Sequence, residues 1–199
     1  MKQPDQIVIA SKNDHKIIEF EDAFKDTGII VKSLKHFPDA PDVEETGTTF
    51  AENATLKAQA IMKYTGQAVI ADDSVLVVKS LNGDPGVHSA RYAGDHDDAA
   101  NNAKLLKEMQ NKSNRDAYFE SVLIYLTPEG DKVEAAGRVN GQILSAPRGD
   151  NDFGYDPLFY VPEKQQTMAE MTTHDKNMIS HRGRAIRNMI NKLQGLWDQ

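Results

Sequence analysis

The stretch Val69–Val78, VIADDSVLVV, is an apolar run interrupted by two adjacent carboxylates, Asp72 and Asp73. Its β-branched residues predict a buried strand over residues 68–71 that delivers the acid pair at its end. Two like charges repel each other, and burial raises the free energy of keeping either one ionised. The stretch therefore predicts a cation beside the acid pair.

The sequence on either side of this strand predicts an alternation of strands and helices. A strand over residues 6–11 precedes a helix over 14–25, and Thr49 and Glu52 form a capping box for a helix that runs to about Tyr64 and ends at Gly66. Further predicted elements are a loop over 82–94, a helix over 97–109, strands over 117–127 and 132–140 that flank a hairpin turn, a strand over 158–161, and a basic helical region over about 172–193. This order predicts an α/β fold, with a mixed sheet and helices on its faces.

Composition limits the class of protein. A chain of 199 residues with a hydrophobic fraction of 39% is typical of one soluble domain, here residues 1–199. No apolar run reaches the ~18 residues that span a bilayer, and the N-terminus lacks the apolar region of a secretory signal. The sequence contains 0 cysteines, which suits a reducing cytoplasm. A net charge of −7 argues against a nucleic-acid polymer as partner, so any phosphate ligand should be small.

The segment between the first strand and the first helix has the composition of a phosphate site. It reads SKNDHK over residues 11–16, and Lys16 falls in the first helical turn, where the helix dipole disfavours a cation. A bound anion would reverse that sign, because free backbone N–H groups at a helix N-terminus favour phosphate. The alternative is that Asn13 or Asp14 only caps the helix and the lysines are solvated.

Carboxylates also precede the capped helix, in the segment Glu44-Glu45. Together with the acid pair, Glu45 could supply the oxygen ligands that Mg²⁺ takes while it bridges substrate phosphates. Asn53 and Lys57 are four residues apart and therefore share one face of that helix. The alternatives are that Asn53 and Lys57 form a solvated helix face, and that the acid pair is a capping or surface feature at a strand end.

Two C-terminal motifs combine an aromatic ring with polar side chains: FGYDP over residues 153–157 and KNMISHR over 176–182. Phe153 could supply a stacking face for a base, and His181 and Arg182 could supply fixed hydrogen-bond donors. Together the motifs predict a site that reads the edge of a nucleobase. The alternatives are that Phe153 belongs to the core and that His181 and Arg182 begin an exposed helix.

Taken in chain order, six motifs resemble those of the inosine triphosphate pyrophosphatase family. They are Ser-x-Asn-x-x-Lys at 11–16, EETGTTFAENATLKA at 44–58, IADDS at 70–74, PGVHSARYAG at 85–94, FGYDP at 153–157 and KNMISHRGRA at 176–185. The resemblance spans nearly the whole chain. It implies a Mg²⁺-dependent house-cleaning enzyme that hydrolyses deaminated purine triphosphates such as ITP, dITP and XTP to the monophosphate and pyrophosphate. It also implies a homodimer, and an elongated, twisted mixed sheet with two lobes around a central nucleotide cleft.

The resemblance also assigns roles to individual residues. The implied metal ligands are Glu45, Asp73 and, in a supporting position, Asp72, and Asp73 is also the implied activator of the attacking water. The implied substrate-binding residues are Ser11, Lys12, Asn13, Lys16, Lys57, Ser74, Phe153, Gly154, Tyr155, Asp156, Lys176, Ser180, His181 and Arg182. Of these, Ser11, Asn13, Lys16 and Lys57 would bind phosphate. Phe153 would stack on the base, which Asp156, Lys176, Ser180, His181 and Arg182 would read.

Two positions depart from the family's usual pattern. Val75 stands where the family has Gly, and because a β-branched residue does not take a positive φ, we expect a differently shaped acid loop. Asp152 also replaces a Gly, and it adds a negative charge beside the expected base pocket. The alternative functions are a related pyrophosphatase for modified pyrimidine nucleotides and a nucleotide-binding module that does not hydrolyse. The full acid set favours hydrolysis, because a sensor needs no water-activating carboxylate.

Overall fold

The computed structural model describes residues 1–198. The helices of this part are α1 (Asp14–Phe24), α2 (Phe50–Thr65), α3 (Asp98–Glu108), α4 (Thr173–Ile179) and α5 (His181–Trp197). The strands are β1 (Gln6–Ile9), β2 (Ile30–Ser33), β3 (Val69–Val78), β4 (Pro85–Gly86), β5 (Asp116–Leu126), β6 (Lys132–Ile143), β7 (Phe159–Val161) and β8 (Gln166–Thr167). Among these described helices, none is long and apolar enough to cross a membrane.

The strands form one sheet of mixed direction. Its order is β2-β1-β3-β5-β6-β7-β8, and β4 pairs with β3 outside this path. Strand β1 lies parallel to both β2 and β3, with Val8 opposite Val69, whereas β7 lies antiparallel to β6 and β8. The predicted α/β fold with a mixed sheet is therefore confirmed.

The chain divides into two compact units, and strands β3, β5 and β6 contribute residues to both. Unit 1 comprises residues 1–73 and 121–137 together with the chain from Arg182 onward, and unit 2 comprises residues 74–120 and 138–181. The interpretation of residues 1–199 as one domain, with two lobes around a cleft, stays a prediction.

Unit 1 buries apolar side chains on both faces of its part of the sheet. One face carries Ile7, Ile9 and Ile70, which pack with residues of α1 and α5. The other carries Val8, Val69 and Ala71, which pack with Ala54, Ala58 and Ile61 of α2. Successive residues of a strand point to opposite faces, so a strand covered on both faces is apolar at consecutive positions.

Unit 2 has a single described core around the other ends of the long strands. Leu76, Phe119 and Val139 pack there with Leu105 and Met109 of the α3 region and with the segment that carries Tyr155 and Leu158. Exposed and buried residues alternate along the whole length of β6, so one face of this strand packs inward and the other faces outward.

Most predicted elements are confirmed, but several features differ from the sequence prediction. The short strands β4 and β8 were not predicted, and β4 lies in the segment 82–94 that was predicted to be a loop. The strand predicted to end at residue 71 continues through the acid pair to Val78. Strand β2 was not predicted, although Ile30 and Val31 supply a short β-branched signal. The basic C-terminal region forms two helices, because Ser180 takes an extended conformation between them.

The capping prediction for α2 is confirmed in detail. The hydroxyl of Thr49 accepts a hydrogen bond from the Glu52 amide at 3.1 Å, and the Glu52 carboxylate accepts one from the Thr49 amide at 3.2 Å. Gly66 ends the helix with φ at +64°, a conformation that favours glycine. These contacts fix the start and the end of the helix that carries Lys57.

Candidate functional site

The two adjacent acids of β3 point to opposite faces of the sheet. Asp72 follows Ile70 by two residues and belongs to the face covered by α1 and α5, whereas Asp73 follows Ala71 and belongs to the face of α2. The prediction that the pair ends a strand was therefore wrong. The alternation along a continuing strand separates the two charges and gives each carboxylate its own cationic neighbours.

Asp72 lies between two cations. Lys16 Nζ is 3.1 Å from Asp72 Oδ1, and Arg182 Nε donates to Asp72 Oδ2 at 3.0 Å. Burial alone would raise the pKa of Asp72, but the charges of Lys16, Arg182 and Lys57 outweigh it and hold that pKa well below its usual range. The predicted cation beside the acid pair is therefore supplied by the protein itself on this face.

Arg182 joins Asp72 to a third buried charge that the sequence did not reveal. Its Nη1 is 2.8 Å from Glu19 Oε2, and the side chains of Arg182 and Glu19 are each only 3% exposed. Glu19 follows Lys16 by three residues on α1, so the two side chains lie on the same side of that helix. The acidic side chain of Glu19 did not distinguish it in the sequence, because α1 also has acidic residues at exposed positions. Its spacing from Lys16 was the only signal of its role.

Asp73 has different neighbours on the opposite face. Burial raises the pKa of Asp73 to about 6; the Lys57 charge opposes this rise, and the charge of Glu45 adds to it. Lys57 in turn contacts Glu45 in an ion pair. Although burial opposes the charged form of Lys57, the charges of Asp73, Glu45 and Asp72 raise the pKa of Lys57. Asp73 is therefore a carboxyl whose proton affinity is suited to general-base chemistry near neutral pH.

Asn53 holds the loop that carries Glu45. Its Oδ1 accepts a hydrogen bond from the Gly47 amide at 2.8 Å, and its side chain is 1% exposed. A Cβ added to Gly47 would lie 2.7 Å from the same oxygen, so the backbone of the loop approaches α2 as closely as only glycine permits. The helix face predicted to carry Asn53 and Lys57 is thus partly buried, and the interpretation as a solvated face is wrong.

The segment before α1 is ordered by its own side chains. Asn13 caps the helix, because its Oδ1 accepts from the Lys16 amide at 3.2 Å, and Ser11 Oγ accepts from the Asn13 amide at 3.1 Å. Lys12 is exposed, with its Nζ 3.9 Å from Asp42. The capping alternative is therefore correct for Asn13, whereas phosphate binding by Ser11, Lys12, Asn13 and Lys16 stays a prediction.

The residues predicted to read the base lie in unit 2, except for Arg182. Lys176 Nζ is 2.7 Å from Asp156 Oδ2 and 4.9 Å from the centre of the Phe153 ring. Asp156 and Lys176 are 3% and 8% exposed, so their charges form a buried pair beside a half-buried aromatic ring. This cluster brings both C-terminal motifs together, as the sequence predicted.

The other predicted residues of unit 2 have mainly internal contacts. The Tyr155 hydroxyl donates to the Ser89 carbonyl at 2.7 Å, and burial raises the pKa of Tyr155. The His181 ring stacks on Phe119, with the ring centres 4.6 Å apart, and Ser180 is buried at the end of α4. The alternative of an exposed helix start is therefore wrong for His181 and for Arg182, which is 2% exposed.

The two departures from the family pattern have different settings. Val75 is buried in extended conformation within β3, so the expected acid loop is absent from the described residues and a strand replaces it. A β-branched residue suits that conformation. Ser74 precedes it on the same strand, half-buried. Asp152 is exposed, which leaves its charge largely solvated.

The acids of the α2 face fit a magnesium ion that is shared with a substrate. Within residues 1–198, no three carboxylate or imidazole groups are arranged to hold a metal ion by themselves. Mg²⁺ usually keeps several waters and is held by one or two carboxylates together with substrate phosphates. Glu45 and Asp73 meet this requirement, because a divalent ion would offset the like charge that helps to raise the pKa of Asp73. The supporting role of Asp72 stays a prediction, since its two oxygens contact Lys16 and Arg182.

The raised pKa of Asp73 predicts a pH-dependent stability for the metal-free protein. Its folded-state pKa of about 6 exceeds the ordinary value of 3.8, so the folded state loses stability relative to the unfolded state as the pH rises between these two values, and the loss is complete above pH 6. We expect Asp73→Asn to raise the free energy of unfolding by about 1–2 kcal/mol at pH 8, with the gain lost as the pH falls towards 4. Urea unfolding in EDTA at both pH values measures this difference. An equal gain at both would contradict the raised pKa.

The sequence and the fold of this chain are similar to those of known proteins. The family model described as the Ham1 family matches residues 7–192. The dITP/XTP pyrophosphatase of Lactiplantibacillus plantarum is 49% identical over 199 residues, which cover 99% of this chain and 98% of that protein. The dITP/XTP pyrophosphatase of Geobacillus kaustophilus is 50% identical, with 98% and 95% covered. The solved Ham1 protein of Staphylococcus aureus superimposes with a TM-score of 0.84 at 45% identity, covering 96% of this chain and 98% of that one.

Proposed function

The chain belongs to the Ham1 family, and on this premise we propose that it hydrolyses deaminated purine nucleoside triphosphates to the monophosphate and pyrophosphate. The family membership confirms the resemblance drawn from the six sequence motifs. Relatives about half identical over nearly their whole length are named dITP/XTP pyrophosphatases, which supports dITP, ITP and XTP as substrates. The observation that carries the proposal is Asp73, a partly buried acid of raised pKa beside Lys57 and Glu45.

Asp73 would act as the general base for the attacking water. A carboxyl with a pKa of about 6 is largely ionised at neutral pH and still accepts a proton more readily than an ordinary carboxylate. Glu45 and Asp73 would hold Mg²⁺, with Asp72 in a supporting position. When bound, this ion would neutralise charge on the phosphates. The loop contact from Asn53 to Gly47 would keep Glu45 in place for this role.

The lysines of unit 1 would neutralise the triphosphate. Lys57 contacts Glu45, and the charges of Asp73, Glu45 and Asp72 keep it protonated. Lys16 lies beside Asp72 on the other face of the sheet. A polyanionic substrate would draw these ammonium groups towards its phosphates, with Ser11, Lys12 and Asn13 contributing at the start of α1. Arg182 would keep Asp72 in place and ionised, through the hydrogen bond from its Nε to Asp72 Oδ2 at 3.0 Å.

The residues of unit 2 would recognise the base. The Phe153 ring offers a stacking face, and the buried ion pair of Asp156 and Lys176 offers an acceptor and a donor next to it. Gly154, Tyr155, Ser180, His181 and Ser74 complete the proposed substrate-binding set. The base-reading role of Arg182 also remains part of the proposal. We also propose that the protein forms a homodimer, that it is cytoplasmic and that it has no nucleic-acid polymer as partner.

The proposed function is tested by pyrophosphate release from a panel of nucleotides. We expect pyrophosphate release from ITP, dITP and XTP in Mg²⁺ to be at least ~10-fold more efficient than release from ATP, GTP or dUTP. A buried polar site rejects a base that leaves the hydrogen-bonding groups of the site without partners. EDTA should abolish release. Preferred cleavage of dUTP would favour the pyrimidine alternative, and tight ITP binding with no release in any metal would favour a binding module.

A further inference from the structure

Gly154, which lies between Phe153 and Tyr155, is held at both of its backbone polar groups by one helix. Its amide donates to Asp98 Oδ2 at 2.9 Å, and its carbonyl accepts from Asn102 Nδ2 at 2.7 Å. Asp98 and Asn102 are four residues apart on α3, so they lie on the same face one turn apart. Two side chains of one helix thus fix both peptide groups that flank a single glycine.

The conformation of Gly154 needs such support. Its φ is +55°, which places the backbone in the left-handed region, where it reverses direction. The turn also contains a hydrogen bond from the Asp156 amide to the Phe153 carbonyl at 3.0 Å. The geometry of this turn therefore sets where the Phe153 ring and the Asp156 carboxylate point relative to each other.

Asn102 is oriented by its donor group alone. Its Oδ1 is buried without a hydrogen-bond partner among the described residues, while its Nδ2 faces the Gly154 carbonyl. A flipped amide would direct oxygen against oxygen, so the contact with Gly154 fixes the side chain in one orientation. A buried acceptor without a partner is unfavourable for stability, which points to a role in placing Gly154 rather than in strengthening the fold.

We propose that Asp98 and Asn102 are positioning residues for base recognition, which hold the Phe153–Asp156 turn in the geometry that stacks and reads the base. This inference rests on the proposed function, since it specifies how the base-recognition residues are kept in place. Neither residue would contact the nucleotide. Loss of either contact would let the turn relax, and the effect would fall on the base and not on the phosphates.

The test compares variants of α3 with two probes, ITP and inorganic tripolyphosphate, which has no base. We expect Asp98→Ala, Asn102→Ala and the same-sized Asn102→Asp to raise KM for ITP by about 10-fold, the scale of one lost hydrogen bond in a binding site. The inhibition constant of tripolyphosphate should change by less than about 2-fold. Asp98→Asn should retain a KM close to wild type, because its amide oxygen can still accept from the Gly154 amide.

Asp97→Ala is the matched control on the same helix. Asp97 caps α3 by accepting from the Ala100 amide at 2.9 Å, whereas the hydrogen bonds to Gly154 come from Asp98 and Asn102, so loss of Asp97 should lower the melting temperature and leave KM for ITP unchanged. If Asp98→Ala and Asn102→Asp match this control, or shift both probes equally, the positioning role is overturned while the proposed function stands. A wild-type protein that does not hydrolyse ITP, dITP or XTP would overturn both.

Discussion

Asp73→Asn is expected to lower the turnover of ITP in Mg²⁺ by at least ~10²-fold, the usual scale for loss of a general base. Asn has the same shape as Asp but accepts no proton, so the attacking water would lose its activating group. The partial burial that raises the pKa of Asp73 to about 6 also makes the wild-type carboxylate a better base than an exposed one. Steady-state pyrophosphate release at saturating ITP measures kcat directly.

Nucleotide binding separates a catalytic role from a structural one. Because Lys16 and Lys57 remain, Asp73→Asn should still bind inosine monophosphate and ITP, as measured by calorimetry. Asp5→Asn removes one negative charge from an exposed position of the same unit and should leave turnover unchanged. A variant Asp73→Asn with turnover near wild type would move the general base to Glu45 or Asp72. An equal loss of binding and turnover would make Asp73 a binding group only.

The strand-helix order could be predicted from the sequence because short-range signals determine it. β-branched residues mark β1, the hairpin turn marks the two strands β5 and β6 beside it, and the capping box with Gly66 marks both ends of α2. The end of β3 was misplaced because a pair of acids was taken as a strand boundary. Val75, a β-branched residue directly after Ser74, was the signal that the strand continues.

The partners of the two acids follow from that strand once its length is known. Alternation along β3 places Asp72 with the α1 and α5 side chains and Asp73 with the α2 side chains. The sequence motifs identified both acids but not this separation. Arg182 was assigned to base reading from the KNMISHR motif, and that role stays a prediction; the contacts of its guanidinium with Asp72 and Glu19 were not predicted.

Sequence patterns could not predict the hydrogen bonds between side chains and backbone groups. Asn53 on Gly47, Asp98 and Asn102 on Gly154, and Tyr155 on the Ser89 carbonyl each join a side chain to a main-chain atom. Such a contact depends on the local path of a loop, and any residue type offers the same amide and carbonyl. The glycines were visible in the motifs, but their partners on α2 and α3 were not.

Arg182→Met is expected to lower the free energy of unfolding by about 3–5 kcal/mol at pH 7, because it removes the cation from a buried charge network. Asp72 and Glu19 are 3% and 2% exposed, so water cannot replace the guanidinium as a partner. The loss should shrink as the pH falls towards 4, since both carboxyls can then take up protons and become neutral. Urea unfolding at several pH values measures the effect.

Two further variants distinguish lost charge pairing from lost packing. Arg184→Met changes an exposed arginine one residue beyond Gly183 and should alter stability by less than about 0.5 kcal/mol. The double variant Glu19→Leu with Arg182→Met removes one carboxylate together with the cation and should be less destabilised than the two single losses combined, by about 1–3 kcal/mol. Purely additive losses, or a loss for Arg182→Met that does not vary with pH, would mean that the stem of Arg182 stabilises the fold by packing alone. In that case Asp72 would rely on Lys16, at 3.1 Å, as the cation that keeps it ionised on this face.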